Sequence, residues 1–463
     1  QSGRANIDYN FNIAFNESTK IPDLITNAAD YMTLYNQAND HSGITGRNYS
    51  QADIDKYRNN VGNPMYPNID WMSLLFRTAI SQTHSLTVSG GSDRTTYSFN
   101  FNYVDQPGVQ VGYSFNRFTS QSNIETQINK KIKAGLNIAV NYGHRVSPGS
   151  EDSGQNSLFQ QFMSQAPTFS PYLADGSGRY TENAFPTSEY NLKTNPMLTL
   201  DLSKKTYNSF YTQVNPYLQV QLTDWLSWDI NGSFTYSFSK NKQFGFNANT
   251  YNFVTNVMST NRSATTSKGL SVTDANSISP LLFSTLKFNK TFGDHSIGAM
   301  IGTQIEYSKS ESLGAGRQLY TTADTQEINA GGSSSISNSG TASENSLLSY
   351  FGRINYNYKD KYLLEFNMRA DASSRFAKDS RWGYFPSVSL GWRPFKETFI
   401  PKISWMDDLK LRASYGSLGN LGNSLYPYQS VMSTNGFYSY DGSTISSGMA
   451  VNGLVNKSIS WEV

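Results

Sequence analysis

Between Leu363 and Pro394 the chain changes character at every step. Leu364, Phe366, Met368 and Ala370 are apolar, and Glu365, Asn367, Arg369 and Asp371 stand between them. After a short break Val388, Leu390 and Trp392 alternate with Ser387, Ser389 and Arg393. A period of two sends successive side chains to opposite faces of a β-strand, so each of these strands has one greasy and one polar face. The same alternation runs through Tyr97–Tyr103, Ile132–Tyr142, Phe210–Leu222, Trp228–Phe238, Ile297–Tyr307, Leu348–Tyr358 and Leu409–Tyr415. It predicts about thirteen strands, at 5–15, 82–91, 95–105, 114–128, 131–144, 206–222, 225–239, 280–291, 295–309, 346–358, 361–371, 384–394 and 408–416.

The connections alternate too. Short ones fall at 90–94, 129–131, 223–224, 293–294 and 359–360, and long ones, rich in Gly, Ser, Asn, Thr and Tyr, at 16–81, 145–205, 240–279, 310–345 and from 417 onward. The connections 106–113 and 372–383 fall on the long side, and 395–407 is the one lengthy connection on the short side. A meander with tight turns at one end and large loops at the other has the layout of an outer-membrane barrel.

That layout decides which face meets water. A small barrel fills its interior with apolar side chains, but thirteen or more strands enclose a lumen too wide to fill. The greasy face must then point outward, into lipid. Arg353, Arg369 and Arg412 on the lipid side would cost roughly 2–4 kcal/mol each near the midplane, so the alternation is expected to turn them inward. Strands of this length also exceed those of ordinary soluble sheets and suit a bilayer crossing. The competing architecture is a soluble all-β array such as an adhesin or propeller, for which a repeat period is missing.

Composition adds little against this. Of 463 residues 37% are hydrophobic and 14% aromatic, with 30 Tyr and 27 Phe, which is aromatic-rich for a soluble domain. Lysine plus arginine (37) nearly balances aspartate plus glutamate (35), so no strong field selects nucleic acid or an acidic substrate. Cysteine is absent, which removes disulfides, thiolate nucleophiles and cysteine metal sites together. No run approaches eighteen apolar residues, so a transmembrane helix is excluded, while a mean hydropathy of −0.50 does not exclude a barrel whose strands are half polar. Residue 1 opens directly in a strand-like pattern with no signal peptide in view. The stretch is expected to be an internal or mature portion.

Three strings carry a family likeness: "SQTHSLTVSGGSDRTTYSFNFNYVDQPG" (81–108), "LLSYFGRINYNYKDKYLLEFNMRADASSRFAKDSRWGYFPSVSLGWRP" (347–394) and "DLKLRASYGSLGN" (408–420). They resemble the SusC/RagA family of TonB-dependent outer-membrane transporters of Bacteroidetes. "QSGRANIDYNFNIAF" looks like that family's passage from plug into first barrel strand, and "NKSISWEV" like the segment before a later strand. The resemblance implies a transmembrane antiparallel up-and-down β-barrel of about 22 strands around an N-terminal plug, with a TonB box for energy coupling. On that expectation residues 1–463 are a barrel portion without plug or box, about nine strands short of closure.

The resemblance also implies a function and partners. The expected activity is TonB-dependent import of an oligosaccharide or peptide across the outer membrane of a Gram-negative, Bacteroidetes-like cell. The expected partners are a SusD-like surface lipoprotein, TonB, outer-membrane lipid or LPS, and a second transporter–lipoprotein pair in a dimer; nucleic acid is not among them. Two alternatives stay open: a siderophore- or cobalamin-type receptor without a lid, and a passive porin or surface adhesin.

Candidate residues fall into three groups. The inward set Asp229, Arg353, Glu365, Arg369 and Arg412 could bond to the plug or line the route of a polar substrate. The family-like string 373–383 holds Arg375, Phe376, Arg381 and Trp382, read first as fixing a loop at the rim. Loop tyrosines Tyr172, Tyr180, Tyr190, Tyr320, Tyr426 and Tyr428, with Tyr438 and Tyr440, could stack on sugars or grip peptides, or pack among the loops themselves. Trp228, Tyr236, Tyr358, Tyr362 and Trp392 fit interfacial anchoring.

Enzymatic and metal signals are poor. The four histidines, His41, His84, His144 and His295, are read at strand ends or in loops without metal-ligand spacing, and no nucleophile elbow, P-loop or dinucleotide fingerprint occurs. "ADGSGRY" (174–180) lacks the acidic ladder of a calcium loop and reads as a β-turn. Asp407 and Asp408 read as a solvated turn. The expectation is a transporter with no cofactor, metal site or catalytic residue.

Overall fold

A computed structural model describes residues 3–462 apart from 47, 150–156, 183–194, 247, 259–268, 402–404, 423–424, 440–441, 444 and 453–454. Thirteen strands form one antiparallel sheet. They are β1 (Gly3–Asn16), β2 (Ala79–Gly91), β3 (Thr95–Pro107), β4 (Ser114–Asn129), β5 (Ile132–Pro148), β7 (Ser203–Thr223), β8 (Leu226–Gly245), β10 (Gly269–Phe292), β11 (His295–Gln318), β12 (Ile336–Tyr358), β13 (Tyr362–Ser373), β14 (Trp382–Trp392) and β15 (Leu411–Gly416), paired in that order. Two short pairs lie in the loops: β6 (Thr181–Glu182) with β9 (Tyr251–Asn252), and β16 (Val431–Ser439) with β17 (Ile445–Asn452). The sheet is not closed, so β1 and β15 are its two edges: the chain is a partial transmembrane barrel.

The stagger of the sheet is that of a barrel. One register row runs His84, Tyr103, Phe118, Tyr142, Phe210, Phe238, Asn276, Glu311 across eight adjacent strands. His84 stands seven residues before the end of β2 at Gly91, whereas Glu311 stands sixteen after the start of β11 at His295. Nine residues of climb at about 3.3 Å each, over seven strand spacings of about 4.8 Å, give a strand tilt of roughly 40°. That is the tilt at which strands wrap a membrane barrel.

Register also fixes the faces. Facing residues of an antiparallel pair share a face, so Ile7, Tyr9, Phe11, Ile13 and Phe15 of β1 lie with Leu86 and Val88, Phe99 and Phe101, and on through Trp228, Leu286, Ile301, Leu364 and Leu390. Leu86, Val88, Phe99 and Leu286 are half-buried among their neighbours and the others are left exposed, Ile301 by 65%. An apolar face bare of protein contacts is what a lipid-facing wall requires.

The tight connections are built for hairpins. Lys359 and Asp360 take φ 54° and 55°, the pair of positive angles that a two-residue type I′ turn demands. Gly293, at φ 57°, opens the 292–295 turn, where a Cβ would be strained. The connection after Trp392 is longer and is tied down by ions: Arg393 and Lys396 each reach Asp360 at 2.6 Å, and Lys361 reaches Glu397 at 2.8 Å.

At the opposite end the long connections are folded. Residues 17–78 carry helices α1 (Ala28–His41), α2 (Gln51–Asn59) and α3 (Trp71–Leu75), and 149–202 carry α4 (Leu158–Met163) and α5 (Pro196–Leu202). Each starts at a side chain that accepts a backbone N–H: Asn27, Ser50, Asp70, Ser157 and Asn195. The buried apolar core of the described residues lies here rather than inside the barrel. Trp71, Met72, Leu75, Leu158, Phe162, Phe169 and Phe253 form one cluster, and Ala28, Met32, Tyr49, Ile54 and Tyr57 a second. Tyr57 bridges them by donating to the Thr168 carbonyl at 2.5 Å.

Several boundaries differ from those read in the sequence. All thirteen strands are present, but β10, β11 and β12 extend to 23 or 24 residues and consume parts of 240–279 and 310–345 that read as loop. Two histidines also move: His84 lies within β2 and His144 within β5, both on the outward face, bonded to the Tyr9 hydroxyl at 2.7 Å and the Asn208 side chain at 2.5 Å.

Candidate functional site: the inner wall and the loop rim

The inward set comes together on one face. Asp229, Thr285, Gly302, Phe351, Arg369 and Phe385 are successive register partners across six strands, and Arg353, Glu365 and Arg412 stand on the same side of theirs. Asp229 is buried and forms an ion pair with Lys287. Arg353 donates to Asn367 Oδ1 at 2.6 Å, and Asn367 in turn donates to Glu365 at 3.0 Å and Ser387 at 3.2 Å. Arg369 bonds Asp371 at 2.9 Å and Ser349 Oγ at 2.8 Å, with its guanidinium 5.7 Å from the centre of the Phe351 ring. Phe351 stacks on Phe283 at 5.3 Å. Low-lying, well-partnered charges such as these are fixed in position before any ligand arrives.

Further toward the loops the inner wall of β8 to β12 loses its charge, whereas Arg145 on β5 and Lys205 on β7 keep it. Ser237, Ser277, Ser310 and Ser343 form one register row, and with Ser209, Ser239, Ser312 and the rings of Tyr207 and Tyr211 they line a shallow depression of about 360 Å³. Over these strands the wall is therefore zoned, with ion pairs below and hydroxyls above.

The family-like string sits at the rim. Phe376 is buried against Trp461, 5.7 Å between ring centres, and Trp461 lies edge-on to Phe385 at 5.2 Å. Trp461 donates to the Arg381 carbonyl at 2.8 Å, Arg381 Nε to the Phe376 carbonyl at 3.2 Å, and Arg375 to the Gly422 carbonyl at 3.1 Å. Trp382 does not join them; it stacks on Tyr350 at 6.1 Å on the outward face. The final segment is thereby drawn over the rim, where Asn420 and Glu462 exchange backbone hydrogen bonds of 2.9 and 3.1 Å.

The loop tyrosines are separated. Tyr172 and Tyr180 pair, 5.4 Å between rings, and both phenols donate to Asp201 Oδ2, at 2.7 and 3.2 Å. Burial first, then the Asp201 charge, pushes Tyr180 up to about 12, and burial followed by the hydrogen bond to Asp201 raises Tyr172 as well. Tyr320 packs edge-on against Phe244 and donates to the Glu327 carbonyl at 2.8 Å. Tyr426 stands edge-on to Tyr428 and donates to the Glu344 carbonyl. Tyr438 is exposed on β16, while Tyr190 and Tyr440 lie outside the described residues. Asp175 in "ADGSGRY" is held down to about 2 by the Ser177 hydroxyl and N–H and by Arg179 at 2.6 Å, which is turn geometry. Asp408 stands 3.8 Å from Arg393.

Among the described residues no group of His, Asp and Glu is placed to hold a metal ion. Sequence reasoning missed Lys287, Ser349, Asp201 and Trp461. Lys287 was reachable, because it shares a face with Asp229 once β8 and β10 are in register; Trp461 carried no local signal.

Residues 167–452 match the family model described as TonB dependent receptor-like, beta-barrel. The chain belongs to the TonB-dependent receptor β-barrel family. It is 29% identical over 422 residues to TonB-dependent receptor P3 of Formosa agariphila, an alignment covering 89% of this chain and 40% of that protein. It is 27% identical over 455 residues to TonB-dependent receptor SusC of Bacteroides thetaiotaomicron, covering 91% of this chain and 40% of SusC. In fold it resembles the RagAB peptide importer in its open-open state, with a TM-score of 0.74 at 21% identity, over 100% of this chain and 51% of that one. The chain thus spans about two fifths of the length of the curated TonB-dependent receptors it matches. The family is one of outer-membrane proteins, and these relatives are receptors and transporters rather than enzymes.

Proposed function

We propose that this chain is part of the barrel of an outer-membrane importer driven through TonB, one that takes up an oligosaccharide or peptide with a SusD-like surface lipoprotein over its loops. The observation that carries the reading is the zoned inner wall. A passive pore needs only a wet lumen, whereas here Asp229–Lys287, Arg353–Asn367–Glu365 and Arg369–Asp371 fix charges in a lumen that the barrel's own side chains cannot fill. Such a wall suits a second, polar body seated inside, a plug that TonB would remodel. The helical layer at the loop end, with its own apolar cores, offers a structured platform for a lid. In this reading no bond of the substrate is made or broken; gated transfer is the whole of the chemistry.

The test is a detergent pull-down of the full-length receptor from native outer membranes, with mass spectrometry of what accompanies it. A stoichiometric surface lipoprotein supports the lidded importer. Recovery of the barrel alone at every detergent strength overturns it and favours the siderophore-type receptor or the porin.

A further inference from the structure

The outward face at the turn end carries a cation set among rings. Lys290 lies two residues before the end of β10 at Phe292, with its Nζ 5.3 Å from the Trp225 ring centre and 5.0 Å from that of Phe292. Trp225 is braced edge-on by Phe288 at 5.3 Å. The register partner of Lys290 on β11 is Ile297, and that of Phe292 is His295, whose Nδ1 is bonded to the Tyr356 hydroxyl at 2.7 Å. Among the described residues Lys290 has no carboxylate within ion-pair distance. The nearby turns supply Asp224 and Asp294, but Asp294 is engaged by Lys359 at 3.2 Å.

We infer that Lys290, framed by Trp225 and Phe292, binds the phosphodiester of a phospholipid in the periplasmic leaflet of the outer membrane. Its depth fits: two residues from the turn of a strand tilted by roughly 40° place the ammonium about 5 Å above the turn, at the level of the headgroups. The rings hold the ammonium by cation–π attraction while leaving its N–H donors free. The surrounding apolar surface of Phe288, Phe292 and Ile297 gives acyl chains a wall to lie on, which a free phosphate would not use. The inference rests on the membrane-barrel fold and not on import, so the two fail separately.

The experiment is native mass spectrometry of the full-length receptor released from detergent after equilibration with phosphatidylglycerol or phosphatidylethanolamine, comparing wild type, Lys290→Met, Lys290→Arg and Lys359→Met. Retained phospholipid is expected to fall at least five-fold in Lys290→Met, to return in Lys290→Arg and to be unchanged in Lys359→Met. Equal retention in Lys290→Met and wild type overturns the site. So does displacement of the lipid by inorganic phosphate at equal concentration, which would mark a bare anion site. A wild-type-like melting temperature for Lys290→Met separates lost binding from misfolding.

Discussion

Gly302 lies directly beneath the ring of Phe351 on the inner wall: the two are register partners on β11 and β12, and a Cβ at Gly302 would overlap that ring and crowd the Ser284 carbonyl. Phe351 is held from its other sides by Phe283 and by Arg369, so it has little room to retreat. Gly302→Ala is therefore expected to lower the stability of the full-length receptor by about 1–3 kcal/mol, the usual cost of overpacking. Thermal unfolding in detergent checks this, and an unchanged midpoint would show that the Phe351 ring is mobile.

Arg369 and Asp371 pair within one strand of the inner wall, and the Asp371 side chain is only 7% exposed. Removing the cation alone strands a buried carboxylate. Arg369→Met is expected to destabilise by about 2–4 kcal/mol, and the double variant Arg369→Met/Asp371→Asn to recover at least half of that. A double variant as unstable as the single would mean that packing over Phe351, not charge, is what Arg369 supplies.

The clip made by Tyr172, Tyr180 and Asp201 has a defined pH signature. The fold raises both phenols above their ordinary value near 10, so it favours the neutral form. The stabilisation is fully present below pH 10 and is lost as the pH rises through about 12, where Tyr180 ionises. Subtracting the ultraviolet titration of Tyr180→Phe from that of wild type should leave a step near pH 12. A step at pH 10 would mean that the phenol is neither buried nor close to Asp201.

How much of this was legible in the sequence depends on what each segment faces. Where one face meets lipid, as in Leu364 to Ala370, contrast between neighbours is maximal and the period of two is plain. Above the lipid the contrast fades: β11 continues through Ser310, Ser312, Gly314 and Gly316 on the inside, but Lys309 and Glu311 replace apolar residues on the outside. Those extensions read as loop for that reason. The helices of 16–81 are not legible in the sequence and the stretch reads as loop: α1 and α2 are mostly polar, and only the packing of Ala28, Met32 and Ile54 with Tyr49 and Tyr57 reveals their inner faces. The inward set could be read because alternation alone selects a face. The rim around Trp461 could not, since Phe376 and Phe385 meet it across roughly eighty residues of chain.

Trp461 tests the rim directly. Its indole fills the space above Gly383 and donates to Arg381, joining the final segment to the 373–383 loop. Trp461→Ala is expected to cost about 2–4 kcal/mol locally, less than a fully buried aromatic, because the site is only partly enclosed. Hydrogen exchange should accelerate at least ten-fold at the amides of Asn420 and Glu462, which pair across this junction, while β8 to β12 keep their protection. Unchanged exchange at those two amides would show that the backbone bridge holds without the ring.

The decisive contrast is between the faces. Ile301 points outward and lies six residues beyond the turn at His295, about 15 Å up a strand tilted by roughly 40°, which is near the middle of an apolar band about 25 Å tall. Gln304, three residues on, points inward beside Glu306, to which its amide is bonded. An arginine at Ile301 must take its charge into hydrocarbon at about 2–4 kcal/mol, whereas one at Gln304 meets water, Glu306 and Asp371 and costs little. Ile301→Arg should therefore lower the heat-resistant folded fraction of the receptor in the outer membrane, and Gln304→Arg should leave it near wild type. If the two behaved alike, or in reverse, the outward assignment of the apolar face would be wrong, and with it the placement of every charge on the inner wall.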